Sequence, residues 1–317
     1  MRKISLLCRK ECVMHVKNDY WMRERECERV FQAGGPYYMI TTEQLDWLLY
    51  KSKEEFVVGT NLVAVSAAES GFTVLDDIQM NNHHHILGEG RRSQADAFKE
   101  RFHDKVRRYQ LSLGNPSLKE WNIQIDEAES LQQLRNYVGY IDRNAYVVRL
   151  DSTPTGYPWG SGNLFFNGNL WMMSEGEAWK TLSIEKRRRI CRSHDIDMPD
   201  SFRVCEGMIL RRSFVQYKRT ESLFNSANQY FTFLCRRGES DVEIGRKIGE
   251  QIQLPSDEVF QIVGSWYPGS SVRDLAPKDR LEAAQSMKRR LNSSNKQISQ
   301  VLRLPLDAVE RMFPHAT

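Results

Sequence analysis

One stretch constrains this chain more than any other: IQMNNHHHILGEG, Ile78 to Gly90. It reads as a strand that stops at Gly88-Glu89-Gly90. Side chains alternate across a strand, so residues two apart share a face. His83 and His85 therefore project together, and His84 projects to the other side. Two imidazoles one pleat apart can hold one divalent cation. A histidine pair is also compatible with a solvated face or a hydrogen-bonded core feature, so the pattern needs a second element to carry chemistry.

LRNYVGYIDRN, Leu134 to Asn144, supplies one. On a helix Tyr140 and Asn144 stand four residues apart and share a face. A tyrosine hydroxyl can attack phosphorus, but with an ordinary pKa near 10 it is a weak nucleophile. A divalent cation on the scissile phosphate compensates by stabilising the charge of the transition state. His83 and His85 offer two ligands and the Asn144 amide oxygen a third. Nitrogen and oxygen donors without thiolate favour Mg²⁺ or Mn²⁺, although imidazole also accepts Zn²⁺. Tyr137 is the rival nucleophile. Ile141 stands four residues beyond it and cannot bind metal, so the spacing favours Tyr140 and leaves Tyr137 to packing.

The chain has 317 residues, room for about two domains. No apolar run approaches the roughly 20 residues of a membrane span. The N-terminal apolar run SLLC is too short for a signal peptide. A cytoplasmic, nucleoid-associated protein is expected. The six cysteines (Cys8, Cys12, Cys27, Cys191, Cys205, Cys235) include no C-x-x-C pair. Cys8, Cys12, His15 and Cys27 lack a standard zinc spacing, and ordinary thiols are expected.

Net charge is only +4, but the basic residues are clustered. They gather at Arg91 and Arg92, at Lys99, Arg101, Lys105, Arg107 and Arg108, at Lys186–Arg189 (including Arg188 and Arg189) with Arg192, and at Arg211–Arg212. Such clusters suit a polyanion, although any one of them can be a solvated helix face.

Taken in order, residues 1–35 read as an extension with a helix around Tyr20–Phe31, ended by Gly34-Gly35-Pro36. Pro36–Thr41 is a strand candidate. Thr41 or Thr42 can cap a helix over Glu43–Lys53, where Leu45, Leu48 and Leu49 recur at helical spacing. Phe72–Leu87 is a strand, or a strand pair bent near Asp76–Asp77. Asp96–Leu111 is a basic amphipathic helix, with Phe98, Phe102, Val106 and Tyr109 on one side. Trp121–Ile125 can be a strand and Asp126–Tyr140 a helix. Residues 171–238 read as a helical connection and 239–317 as a helical domain. There Glu243–Val263 resembles Lys296–Phe313: each places an apolar helix before Leu-Pro and a second helix after it, a helix-turn-helix pattern whose second helix can enter a major groove.

These motifs resemble the HUH single-tyrosine transposases, in particular the REP-associated tyrosine transposases of bacteria. That family writes M-P-N-H-x-H and apolar residues, matched by Met80, Asn82, His83, His85, Ile86 and Leu87. An F-x-x-x-hydrophobic-basic helix is similar to Ala97–Tyr109. Y-I-x-x-N-P is matched by Tyr140, Ile141 and Asn144, and Y-P-W-S-S-Y by Tyr157, Pro158, Trp159 and Ser161. His84, Asn81 and Ala145 depart from the pattern without removing a proposed ligand or nucleophile. The resemblance covers about residues 36–168. It implies an α+β fold: a ferredoxin-like antiparallel sheet with packed helices as the nuclease domain (36–170), beside the all-α C-terminal region with helix-turn-helix-like elements. It also implies nicking of single-stranded hairpin or repeat DNA by Tyr140 through a 5′-phosphotyrosine, strand transfer, and a homodimer. The alternative is a domesticated, non-catalytic protein that binds repeat DNA.

Overall fold

Four extended segments pair into one antiparallel sheet: β1 (Tyr37–Thr42), β2 (Thr73–Gln79), β3 (His84–Glu89) and β4 (Ile123–Glu127), in the order β2-β3-β1-β4. The computed structural model describes residues 20–45, 47–148, 155–235, 244–245, 254 and 256–314. The chain divides into two compact units, one ending at Leu234 and the other starting at Cys235. In the first unit a helix over residues 20–33, α1, precedes β1. Helix α2 (Lys53–Ser70) joins β1 to β2, α3 (Arg92–Ser112) joins β3 to β4, and α4 (Leu131–Val148) follows β4.

Alternation along β3 sorts these helices onto opposite faces of the sheet. The His84 ring meets Phe102 of α3 edge-on, with ring centroids 5.1 Å apart. The next residue, His85, meets Tyr140 of α4 at 5.2 Å. The main core fills the His84 side, with Ile40, Leu62, Val65, Ile86, Phe98, Phe102 and Val106 all buried. Helix α2 carries no narrow apolar stripe, because Gly59 to Ala67 are buried without interruption. A helix covered on all sides needs none. Ser52 caps its start by accepting the Glu55 N–H, and Gly71 ends it with φ 66°.

Several expectations need correction. No helix spans Glu43–Lys53. The backbone there bonds elsewhere: Glu43 N–H to Asn122 O, Leu45 N–H to Asn82 O and Tyr50 N–H to Asn81 O. Trp121 Nε1 also donates to Glu43 O at 2.9 Å. Thr42 accepts the backbone N–H of His84 at 2.8 Å instead of capping a helix. The Phe72–Leu87 segment is a strand pair, but it turns at Met80–His83, where the Met80 N–H donates to His83 O at 2.9 Å. His83 thus precedes β3 rather than lying within it. At Asp76 there is a bulge, not a bend: Val74 pairs with Gly88 and Asp76 with Leu87, leaving Leu75 as an extra residue. Asp126 belongs to β4, not to the following helix.

Residues 171–235 are not mostly helical. They combine α5 (Ile184–Cys191), α6 (Tyr217–Glu221) and α7 (Ala227–Cys235) with a small sheet of β5 (Glu177–Ala178), β6 (Arg203–Cys205) and β7 (Met208–Ile209). Before them, residues 159–161 line the outer edge of β2, through Gln79 N–H to Trp159 O and Ser161 N–H to Asp77 O, each 2.8 Å. Arg211 then pins this region to the sheet. Its Nε donates to both carboxylate oxygens of Asp77 at 3.0 Å, and its Nη2 to Thr60 and Trp159 O.

The second unit contains α8 (Ser256–Trp266), α9 (Pro277–Leu291), α10 (Asn295–Leu302) and α11 (Leu306–Met312). They close on a core that includes Val259, Val263, Ala284, Met287, Leu291, Ile298, Leu302 and Val309. Helices α10 and α11 are separated by Arg303–Pro305, as the Lys296–Phe313 pattern predicts. Most of the Glu243–Val263 copy before Ser256, and Cys8, Cys12 and His15, lie outside the described residues.

Candidate active site

His83, His85, Tyr140 and Asn144 meet on the α4 face of the sheet. The His83 and His85 ring centroids are 4.9 Å apart. Tyr140 packs edge-on against His85, and the Asn144 Nδ2 lies 3.1 Å from His85 Nε2. Tyr140 and Asn144 share a helix face, so one docking of α4 delivers both. All four are sealed, with exposures of 4% for His83 and Tyr140, 0% for His85 and 9% for Asn144. Tyr137, 2% exposed, accepts from Gln133 Nε2 at 2.9 Å.

The hydrogen bonds fix the imidazole tautomers. The Asn82 Oδ1 only accepts, so His83 Nδ1, 2.8 Å away, must carry the proton. The Asn144 Nδ2 only donates, so His85 Nε2 accepts and His85 Nδ1 donates to Thr41 Oγ1 at 3.2 Å. Both rings therefore keep their lone pair on Nε2. Orientation of one ring nitrogen by a hydrogen bond at the other is how metal-binding histidines are held.

This donor set suits a divalent cation. The Asn144 Oδ1 is buried and has no hydrogen-bond partner among the described residues, and it shares a carboxamide with the nitrogen facing His85. A cation at His85 Nε2 would take over the lone pair that now accepts from Asn144, and a half-turn of the amide would then bring Oδ1 towards that cation, with His85 Nδ1–H still on Thr41. Two imidazoles and one amide oxygen leave positions for water and phosphate. Among the described residues no group of three or more His, Cys, Asp or Glu side chains could hold a metal, so Asn144 is the third donor on offer.

His84 faces the other way. Its Nε2 lies 2.9 Å from the Tyr50 hydroxyl, and burial holds its imidazole well below the usual pKa, hence neutral. It belongs to the core and not to the His83/His85 pair.

Asp76 and Asp142 are buried acids that sequence reasoning did not single out. Asp76 is 0% exposed and among the described residues neither carboxyl oxygen has a hydrogen-bond partner. Burial, then the charges of Asp142 and Asp77, push its pKa well above the ordinary carboxylate range. The Tyr230 hydroxyl donates to Asp142 Oδ2 at 2.7 Å, and burial raises the Asp142 pKa to about 7. Thr41 and Asn82 were also missed as ring-orienting residues. Asn82 sits in the histidine motif, and Thr41 pairs with His85 across β1 and β3, a register no local pattern reveals.

The basic residues separate into two groups. Arg101, Lys105, Arg108 and Arg189 line one pocket together with Arg192. Arg91 and Arg92 stand at the opposite end of α3, where Arg92 pairs with Asp96 at 3.0 Å. Lys99 is half-buried and Arg188 is exposed. Arg107 pairs with Asp104 at 2.7 Å.

No protein-family model matches the chain. No curated protein matches it either. Among solved structures it is similar to a REP-associated tyrosine transposase bound to a REP hairpin, at 12% identity and a TM-score of 0.33, over 55% of this chain and 94% of that one. A likeness of that size assigns no role to any residue.

Proposed function

We propose that this chain nicks single-stranded DNA beside hairpin or repeat sequences and rejoins it, with Tyr140 as nucleophile. The observation that carries this reading is the convergence of Tyr140 and Asn144 of α4 on His85, with His83 beside it. The βαββαβ order and the strand order β2-β3-β1-β4 suit a ferredoxin-like nuclease fold.

The Tyr140 oxygen bonds to the scissile phosphorus as the bond to the 3′ oxygen breaks. The phenol gives up its proton and the departing 3′ oxygen gains one, leaving a 5′-phosphotyrosine and a free 3′-OH. Attack by a second 3′-OH runs the same step backwards and joins the strands. His83, His85 and Asn144 would hold Mg²⁺ or Mn²⁺, which supplies charge stabilisation at the phosphoryl oxygens when bound. Asn82 and Thr41 hold the Nδ1 protons of the two rings, so a cation would meet each imidazole at Nε2. The working form in this reading is a homodimer.

Two further parts of the reading concern DNA binding and location. Helices α10 and α11 form the helix-turn-helix-like element. The exposed side of α11 presents Asp307 and Glu310 against Arg311 alone, so its contribution to duplex binding rests on shape more than charge. Among the described residues no helix is long and apolar enough to cross a membrane, which suits a nucleoid location.

Burial favours a second reading. With the four site residues at most 9% exposed, a DNA strand does not reach Tyr140 in this arrangement. A protein that binds repeat DNA without cutting it would have this closed centre. One incubation separates the two: labelled hairpin DNA with a single-stranded flank, Mg²⁺ or Mn²⁺, and a denaturing gel. A covalent adduct that is lost in Tyr140→Phe and in His85→Ala, but kept in Tyr137→Phe, supports cutting. Hairpin binding without an adduct in either metal supports the second reading.

A further inference from the structure

Two basic segments far apart in sequence wall a single pocket of 530 Å³. Arg101, Lys105 and Arg108 come from α3, at i, i+4 and i+7, so they form one stripe beside the apolar one. Arg189 comes from α5 and Arg192 from the residue that ends it. Two carboxylates share the pocket, and both are already engaged. Glu69 meets Lys105 at 2.9 Å and Arg101 at 3.7 Å. Asp104 meets Arg107 and Arg108, each at 2.7 Å. Arg189 and Arg192 have no carboxylate partner among the described residues and are both exposed. Arg192 instead lies over the Tyr109 ring, 4.6 Å from its centroid.

Uncompensated guanidinium groups at the mouth of a cavity call for an anion, and their planar forks fit phosphate oxygens. The volume exceeds what a lone carboxylate needs. A guanidinium held over an aromatic ring is also a surface on which an unpaired nucleobase can stack. The pocket is built on α2, α3 and α5. Helix α3 covers the His84 face of the sheet, whereas Tyr140 and His85 meet on the opposite face. A phosphate held here is therefore not the one that Tyr140 attacks.

We propose that this pocket is a nucleic-acid anchor, binding backbone phosphate of the substrate at a distance from the reacting phosphodiester. The proposal rests on the reading of the chain as a DNA-binding protein, and it assigns the far side of the sheet a part in holding the hairpin.

The test uses the full chain and fluorescence anisotropy with labelled hairpin DNA across a salt series. Arg189→Gln/Arg192→Gln removes two exposed side chains, and the loss of the Arg192 contact with the Tyr109 ring should lower the melting temperature only slightly. Hairpin affinity at low salt is expected to fall at least about 10-fold. The slope of log K against log salt should flatten by about 1.8, at roughly 0.9 for each phosphate left without its arginine. Adduct formation by Tyr140 at saturating DNA should persist. Unchanged affinity and slope would overturn the proposal. So would an equal loss in Arg23→Gln/Arg25→Gln, which removes the same charge from α1. Calorimetry with inorganic phosphate alone separates a second source of the ligand: saturable binding abolished by the double variant, with hairpin affinity intact, would reassign the pocket to a free phosphate and overturn the nucleic-acid occupant. If the wild type binds hairpin through these arginines but forms no adduct, the anchor stands and the strand-transfer reading falls.

Discussion

The carboxamide of Asn144 lies 3.1 Å from Nε2 of His85, while Thr41 lies 3.2 Å from the same ring's Nδ1. The imidazole is thus gripped from both ends, by α4 and by β1. Such partners of a ligating histidine usually matter 10–100-fold for metal affinity. Thr41→Val and Asn82→Ala should each weaken Mn²⁺ binding by about that factor while hairpin binding persists. Calorimetric titration of the two variants with Mn²⁺ reads this directly. Wild-type affinity in both would remove the case for a cation at His83 and His85.

Asn144 itself should separate donor from spacer. Asn144→Ala removes the amide oxygen and is expected to lower Mn²⁺ affinity by about 10-fold or more. Asn144→Asp keeps an oxygen and adds charge, and it should bind Mn²⁺ at least as tightly as the wild type. Equal weakening in both variants would mean that Asn144 only packs against His85.

Arg211 and Asp77 form a buried pair, with side-chain exposures of 6% and 1%. Removing one partner strands the other charge away from water. Arg211→Ala should cost about 3–5 kcal/mol of stability, read from urea unfolding. A loss under about 1 kcal/mol would show that water reaches Asp77 once the arginine is gone.

Asp76 sets a pH dependence. Its folded pKa is raised, chiefly by burial and then by the facing Asp142 and Asp77. The stability associated with its neutral form is complete below the unfolded pKa, near 4. It is lost as pH rises towards the raised folded value. The melting temperature should fall as pH rises above about 4, and Asp76→Asn should flatten that fall and melt higher than wild type at the alkaline end. A variant that melts lower than wild type at every pH would contradict the assignment.

The second unit should be separable. The first unit's main core and the residues of the Tyr140 site all precede residue 235, so a chain without residues 235–317 retains them. Hairpin or duplex affinity should drop about 10-fold or more in anisotropy, with the Tyr140 adduct still formed at high DNA concentration. Unchanged affinity would return α10 and α11 to a packing role.

Much of this was legible in the chain, and what was hidden had physical causes. Tyr37–Thr42, α3 and α4 announce themselves through β-branched residues or a 3.6-residue apolar period, and Tyr140 with Asn144 through i, i+4 spacing. Helix α2 hid because burial on all sides erases the period. Leu45, Leu48 and Leu49 imitate a helix, yet that backbone is satisfied by Asn81, Asn82 and Asn122. Strands of two or three residues, such as Glu177–Ala178, are too short to carry an alternation. The tautomer-setting roles of Thr41 and Asn82 depend on strand register and turn geometry, which emerge only on folding.

The extra residue at Leu75 decides what a change of length does to this strand. Because of it, Val74 and Asp77 both serve the helix-covered face although they are three apart, and Asp76 looks towards α4. Delete Leu75 itself, and Val74 and Asp76 become neighbours that already face opposite sides, so neither half-strand turns over. Delete Ile78 instead, keep Gln79 opposite His84 and Val74 opposite Gly88, and the bulge takes up the missing residue: Asp77 slides opposite His85 and Asp76 opposite Ile86, each onto the face the other had held. A codon lost at the bulge would straighten the strand, but one lost beyond it would pull Asp77 away from Arg211.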